Sequence, residues 1–511
     1  MKYKKLVIVD LKSDLRITYN DVIYIYLNNG KIEFKNSKRL FFNSLRKKLY
    51  LKLKKNFINK LIDKVNKSEK IINFFPEFDF FNLRNDRDNN FDLVVNLLLL
   101  NQFKKKLKIK DTVIITDNDL TRSFFSKNKK NKVLYKGKNP NFDLGFYNLK
   151  ILKFYLKSFF VVILSKLLKN NSRVSEEACI THYPIFFKGN EEKFYYKKNS
   201  IKFNFLLGDE TQLNLSFYDV FKILYKNRSK NIINIESQIS IFDIIKSYFK
   251  TLNNLRLMRK IDYDLILENY NFKKFYKKKI YSSFINRSKL SIYNNAIKQT
   301  LELYNIKKVN LYLFEYNFGF YLIRKIKENF KNIKIVGFQH GVFYKNLLWL
   351  EVVSKINSSK NYHPHTIYAF TNNIIKDYKT FYGNKNLKYI LREKKLSDVS
   401  KKIKYNKSNN ILILTGTHDV KDIVKAILHK KKNNTNKQFN YFFKFHPKKK
   451  IILAKDVQIK SIEKLDKIKF GKVVISPTST IIYDMIKLKK PFYVFDIDYK
   501  FNYVFNISKF R

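Results

Sequence analysis

Three histidines of this chain stand in short punctuated motifs, Gly337-Phe338-Gln339-His340-Gly341, Thr415-Gly416-Thr417-His418 and Lys444-Phe445-His446-Pro447; a fourth motif, Ser476-Pro477-Thr478-Ser479-Thr480, follows. An imidazole that titrates near neutrality can take a proton from an attacking hydroxyl, and a histidine beside lysines can donate hydrogen bonds to a phosphate. Hydroxyl residues that open a helix, here the segment 481–486, are ordinarily caps, and the free amides they accompany also form an anion site. The motifs stand out because 11 Gly and 7 Pro in 511 residues is far below usual usage. Gly337 and Gly341 bracket His340, which allows a tight turn and a close backbone approach. Pro447 ends the run before it, and Lys444 lies two residues before His446 on the same strand face.

Other chemistries are weaker. Asp117-Asn118-Asp119 and Asp496-Ile497-Asp498 look like the acidic pairs that hold a metal in some sugar transferases, but such triplets arise easily in an Asp- and Asn-rich chain, and no metal is expected. The chain has no phosphate-loop signature and no Gly-x-Gly-x-x-Gly, which disfavours triphosphate hydrolysis and Rossmann-type dinucleotide binding. His418 and His429 are expected to fall outside the chemistry.

The elements that must position these residues are short apolar runs alternating with helical stretches. Leu6-Val7-Ile8-Val9 before Asp10 and Thr112-Val113-Ile114-Ile115-Thr116 before Asp117 look like buried strands, and 45–65 and 149–168 carry helical spacing. Residues 190–300 show no clear strand order and are taken as the helical remainder of a first domain. Runs at 311–315 and 333–338 flank a helical segment, a unit whose two strands lie parallel. From residue 366 six runs, 366–370, 389–391, 411–414, 441–445, 473–475 and 492–495, predict a second doubly wound α/β domain. The boundary is placed near 350–365, giving domains 1–355 and 356–511. In open α/β sheets the ligand lies beyond the carboxyl ends of the strands. Glu315, His340, Thr415, Gly416, His446, Ser476, Ser479 and Thr480 all follow apolar runs, and two facing sheets would bring Glu315 and His340 toward the others across a cleft.

The formal charge of +62 invites a nucleic-acid reading. Lys, Asn, Ile, Phe and Tyr are enriched together, however, as an AT-rich coding sequence dictates, and charge alone informs nonspecific attraction rather than fold. The remaining reading of the charge is attraction to anionic lipid headgroups or anionic substrates. A single cysteine, Cys179, excludes internal disulfides and fits a reducing compartment. The apolar run after Met1 is too short for a signal-peptide core. The stretch 158–168 falls short of the ~20 residues a membrane span needs, and is expected to be a buried or interfacial helix.

Taken in order, Gln339-His340-Gly341, Lys444-Phe445-His446-Pro447 and Ser476 to Thr480 followed by Asp484 resemble the motif series of bacterial surface-polysaccharide transferases with the GT-B fold. That series is shared by surface carbohydrate biosynthesis proteins, capsule and sialic-acid transferases and CDP-glycerol glycerophosphotransferases. Glu315-Tyr316-Asn317 with Arg324, and Thr181-His182-Tyr183-Pro184, look most like the surface carbohydrate biosynthesis group. The resemblance covers 311–495. It implies two Rossmann-type domains facing a central cleft: an acceptor-side domain, 1–355, enlarged by helices, and a nucleotide-donor domain, 356–511. It makes His340 the candidate base near the acceptor, with Glu315 orienting it or serving as base instead. His446 would contact the donor phosphate, with Ser479 and Thr480 at the helix start; Lys444, Ser476, Thr415 and Gly416 join that donor side. The implied reaction transfers a sugar from a nucleotide donor to a polysaccharide or lipid-linked glycan, inverting and without metal or cofactor. The implied place is the cytoplasm, peripheral on the anionic inner face of the membrane, with no nucleic acid as partner.

Two other classes predict different structures. A nucleic-acid-binding protein concentrates its basic residues on one face, whereas lysines here are spread along the chain. A catalytically silent membrane scaffold would keep the fold with His340 and His446 pointing away from a common site. A CDP-glycerol-type glycerophosphotransferase is the nearest enzymatic alternative.

Overall fold

A strand covered on both faces has no solvent side to alternate toward, so it is apolar throughout. Leu6-Val7-Ile8-Val9 is such a run, buried along its length, and it forms β1 (Lys5–Asp10). With β2 (Val22–Asn28), β3 (Lys31–Phe34), β4 (Asp111–Thr116) and β5 (Asn131–Tyr135) it makes a five-stranded sheet of order β3-β2-β1-β4-β5. β2, β4 and β5 run parallel to β1, and β3 is antiparallel on β2. Helices α1 (Arg39–Ser68) and α2 (Asn90–Lys106) precede β4, α3 (Asp119–Phe125) joins β4 to β5, and α4 (Leu144–Leu167) leads onward.

The structure is a computed structural model that describes residues 5–10, 22–28, 31–34, 39–83, 90–109, 111–126, 131–136, 144–169, 175–181, 200–207, 216–227, 232–312, 314–339, 341–343, 348–383, 387–392, 396–416, 420, 423–424, 427, 439–446, 459–477 and 479–495.

The second sheet is assembled from β6 (Glu177–Thr181), β7 (Ile201–Asn204) and β8 (Ile232–Asn234), then, after a small hairpin β9 (Ile266–Leu267) and β10 (Tyr270–Asn271), from β11 (Lys308–Tyr312), β12 (Lys334–Phe338), β13 (Thr366–Ala369) and β14 (Lys388–Leu391). Its seven strands lie in the order β14-β13-β12-β11-β6-β7-β8. β12, β11, β6, β7 and β8 are mutually parallel. The chain thus winds outward from β6 to β8, returns, and winds outward from β11, which puts the topological switch point between β6 and β11. Its helices are α5 (Phe217–Asn227), α6 (Ile241–Leu257), α7 (Lys273–Ser288), α8 (Tyr293–Leu303), α9 (Asn317–Asn329) and α10 (Asn372–Tyr382).

The third sheet repeats this logic. After α11 (Asp398–Lys402) and β15 (Lys404–Tyr405) come β16 (Asn410–Leu414), β17 (Asn440–Lys444), β18 (Ile459–Ser461), β19 (Lys469–Phe470), β20 (Lys472–Ile475), α12 (Ile481–Lys487) and β21 (Tyr493–Val494). β15 pairs with β19, and the five strands β18-β17-β16-β20-β21 are all parallel, with the switch point between β16 and β20. Leu412, Leu414, Val473 and Ile475 of its central strands pack with Ile482 and Met485 of α12. Gly471, between β19 and β20, is required because a Cβ there would lie 1.9 Å from the Ser408 carbonyl oxygen.

The expected α/β class with parallel sheets is what the chain adopts. Three particulars differ from expectation. The segment 190–300 is not only helical, since β7 and β8 lie in it. Runs 366–369 and 388–391 belong to the seven-stranded sheet rather than to the C-terminal one; an apolar run predicts a strand but not its neighbour, which tertiary pairing decides. The strands read at 6–9 and 112–116 belong to a five-stranded sheet of their own, separate from the seven-stranded one, where the expectation is a single first-domain sheet enlarged by helices. The chain forms two compact units, one of Met1–Phe338, Leu348–Thr366 and Lys385–Leu387, the other of Gln339–Leu347, Ile367–Asn384 and Lys388–Arg511. Within the first, Glu77 is fully buried and accepts from the Nε of both Arg287 and Arg324, tying α7 and α9 to one turn. A carboxylate shared by two guanidinium groups compensates charges that burial would otherwise make costly. Among the described residues no helix is long and apolar enough to cross a membrane.

Candidate functional site

At the switch point of the C-terminal sheet, β16 ends in Thr415-Gly416, β20 ends in Ser476-Pro477, and the neighbouring β17 continues into Phe445-His446. These ends are bonded to one another. The Thr415 amide donates to the Lys444 carbonyl at 3.2 Å, and the His446 amide donates to Thr415 Oγ1 at 3.1 Å. The Ser476 amide donates to the Leu414 carbonyl at 2.8 Å. Thr415 and Ser476 are buried and His446 is half-buried. The expected donor-side residues Thr415, Gly416, His446 and Ser476 therefore gather at one strand edge, where doubly wound sheets hold ligands. Lys444 has its ammonium on the Glu463 carbonyl, directed along the strand ends toward β18.

The hydroxyl motif before α12 behaves as a cap. Ser479 Oγ accepts from the Ile481 amide at 3.4 Å, and the Ser479 amide donates to the Ser476 carbonyl at 3.0 Å. Thr480 is the N-cap residue without a side-chain capping bond. Asp484, one turn on, is buried and accepts from the Ser397 amide at 3.1 Å, Ser397 Oγ at 2.6 Å and Ser400 Oγ at 3.2 Å. Its role is to hold the start of α11 against α12.

The glutamine before His340 joins two motifs. Gln339 is buried; its Oε1 accepts from the Phe370 amide at 2.9 Å, while its Nε2 donates to the Gly341 carbonyl at 2.7 Å and to the Tyr483 hydroxyl at 3.4 Å. The Tyr483 hydroxyl also accepts from the Phe343 amide at 3.3 Å. Gln339, Gly341 and Phe343 are thus tied to the helix that follows Ser476 to Thr480, within one unit. His340 itself lies outside the described residues, as do His182 to Pro184, Thr417, His418, His429, Pro447, Thr478 and Asp496 to Asp498. Of the two glycines around His340, Gly337 is needed for close approach, since a Cβ there would lie 2.7 Å from the Phe314 ring and 2.9 Å from Pro364 Cγ. Gly341 faces open space, so steric demand does not explain it.

Glu315 follows β11 at the switch point of the seven-stranded sheet and is buried. Next to it the Tyr316 ring packs against Trp349 at 6.4 Å between centroids. Arg324, grouped with Glu315 in the sequence, is engaged instead by Glu77 and Glu328. Of the other histidines in the region, His365 accepts at Nδ1 from the Ile335 amide at 3.0 Å, and burial with Lys327 and Lys334 nearby holds its pKa below the ordinary value.

One carboxyl was not anticipated. Glu236 follows β8, is fully buried, and accepts at Oε1 from the Leu206 amide at 2.5 Å, from the Leu207 amide at 3.0 Å and from the Tyr293 hydroxyl. Burial pushes its pKa up to about 7, against these hydrogen bonds, which favour the carboxylate. Its Oε2 and the nearby strand residue Asn204 Oδ1 are buried with no partner among the described residues. The sequence signal is weak: Ile232-Ile233-Asn234-Ile235 before Glu236 is a short apolar run broken by an asparagine.

The acidic triplet after β4 is a cap. Asn118 Oδ1 accepts from the Leu120 amide at 2.9 Å, and Asp119 accepts from the Tyr135 hydroxyl at 2.6 Å and from Lys278 at 3.2 Å. Among the described residues no group of three or more His, Cys, Asp or Glu is placed to hold a metal ion. Compared with protein-family models, with curated proteins and with solved structures, the chain matches none.

Proposed function

We propose that this protein is a glycosyltransferase of the GT-B type that uses a nucleotide-activated sugar to build a cell-surface polysaccharide. The observation that supports it most is the meeting of Thr415-Gly416, His446 and Ser476 at the switch point of a parallel five-stranded sheet. As the sugar passes to the acceptor, the bond to its nucleotide breaks and the nucleotide departs as an anionic phosphate, whose charge must be met by fixed donors. Two hydroxyls and an imidazole at one strand edge are donors of that kind, and a hydroxyl that accepts from an amide, as Thr415 Oγ1 does from His446, retains a proton to give.

In this proposal His446, with Thr415, Gly416 and Ser476, holds the donor phosphate. Ser479 and Thr480 shape the approach beside them, and Lys444 adds positive charge along the strand ends. The acceptor hydroxyl loses its proton to a general base, for which His340 and Glu315 are the two candidates. A base opposite the leaving phosphate inverts the sugar, and the named donors let the step run without a metal. A CDP-glycerol-type transfer would use the same phosphate site with a different donor.

The test is a thermal-shift screen with CMP, CDP, UDP, GDP and CDP-glycerol. One nucleotide series should raise the melting temperature, and His446→Ala should remove that rise. Stabilisation by none of them would sink the donor site; a rise with CDP-glycerol alone would replace the sugar by glycerol phosphate.

A further inference from the structure

The first unit turns an apolar, basic face outward where three helices meet at the β8 edge of the seven-stranded sheet. α5 and α6 both pack on α4, and α5 packs on β8. On α4, Leu149, Leu152, Leu156 and Phe160 form one stripe and are 67%, 42%, 56% and 53% exposed. On α5, Phe217, Phe221 and Tyr225 repeat the spacing outside, and the Phe217 ring touches Phe160 at 5.9 Å between centroids. On α6, Phe242, Ile245 and Phe249 do the same. These three helices hold thirteen of the twenty exposed large apolar side chains among the described residues, so the exposure is a patch and not a scatter.

α6 leaves much of its apolar surface outside, although it also buries Ile244 and Leu255. The face it buries includes Ser247 and Thr251, which meet the Tyr155 hydroxyl of α4 at 2.9 and 2.8 Å, while phenylalanines face outward. Water would select the reverse arrangement. The charge on the same helices has one sign: nine Lys or Arg and two acids in their sequences. Both acids are occupied at their own helix starts, Asp219 with Ser216 and Asp243 with Ser240. Burial, then the neighbouring Lys153, lowers the Lys157 pKa, a crowding that an anionic partner relieves.

We infer that the outer face of α4, α5 and α6 docks on an anionic lipid bilayer, with the leucines and phenylalanines entering the headgroup boundary and the lysines meeting lipid phosphates. Amphipathic helices that lie in a membrane surface combine these two features. The docking is independent of the reaction proposed above.

Because the whole chain is basic, binding to anionic vesicles alone would show little. The full-length protein is therefore compared with the triple variant Leu156→Ser, Phe242→Ser, Phe249→Ser, which keeps the charge and alters only exposed positions. Both are sedimented with vesicles of phosphatidylcholine, with and without phosphatidylglycerol, at low and high salt. The wild type should bind the anionic vesicles and stay bound in high salt, where screening removes attraction by charge alone; the variant should bind about tenfold more weakly or worse in high salt. Equal binding by the two proteins overturns the inference. So does lipid-free self-association, read by light scattering, that the variant loses, because the occupant is then a second copy.

Discussion

Beyond β16, β17 and β20 the C-terminal sheet ends its strands in Thr415, His446 and Ser476, whereas beyond β8 and β11 the seven-stranded sheet ends its strands in Glu236 and Glu315. Both sheets are doubly wound, with ligand positions defined by the same strand order. One edge carries hydroxyls and an imidazole knitted together by backbone bonds; the other carries buried carboxyls. Topology thus brings residues to comparable strand ends in both sheets, and the residue that closes each strand sets the chemistry found there.

The sharpest way to separate the two edges is to titrate them. Glu236 has a raised pKa, so the folded chain keeps a proton that the unfolded chain loses near its ordinary pKa of 4.5. The stability this gives is complete below that value and is lost as pH rises through about 7. A shift from 4.5 to about 7 corresponds to about 3 kcal/mol at most. Denaturant midpoints should fall between mildly acidic and mildly alkaline buffer for the wild type and stay level for Glu236→Gln, with nucleotide binding unchanged. A variant that retained the wild-type slope would assign the titration to another group.

A smaller effect is expected at the other edge. Thr415→Val removes the acceptor of the His446 amide, a loss of about 1–2 kcal/mol in stability. This change should also weaken any nucleotide-induced shift, which Glu236→Gln should not. Equal loss of nucleotide binding in both variants would erase the distinction between the edges. The smallest change is at Ser479, whose hydroxyl makes one long capping contact: Ser479→Ala should lower stability by about 0.5–1 kcal/mol. If that residue also meets phosphate, titration calorimetry will show nucleotide affinity falling further than the stability loss accounts for.

Much of this was legible in the sequence, for reasons that can be located. β1, β4, β11 and β16 are apolar runs covered by other elements, so hydrophobic continuity marked them. β7 and β8 are four and three residues long and include Lys202, Asn204 and Asn234, too little apolar sequence to separate strand from loop. With β8 unread, Glu236 was unread as well. The places of Thr415, His446 and Ser476 after strand ends could be read, because each follows its run directly. That Ser479 caps, that Lys444 turns to Glu463 and that Gln339 reaches Tyr483 depend on how a side chain closes a contact made by distant sequence, and no local pattern encodes this.

The packing of Tyr316 on Trp349 has a practical consequence. The chain has 35 tyrosines but one tryptophan, and that indole stands beside the residue that follows Glu315. Its emission, excited to the red of tyrosine absorption, comes from a single address in a 61.7 kDa protein. The molecule therefore carries a built-in optical reporter for the corner where Glu315 sits, readable in the unlabelled wild type as substrates are added.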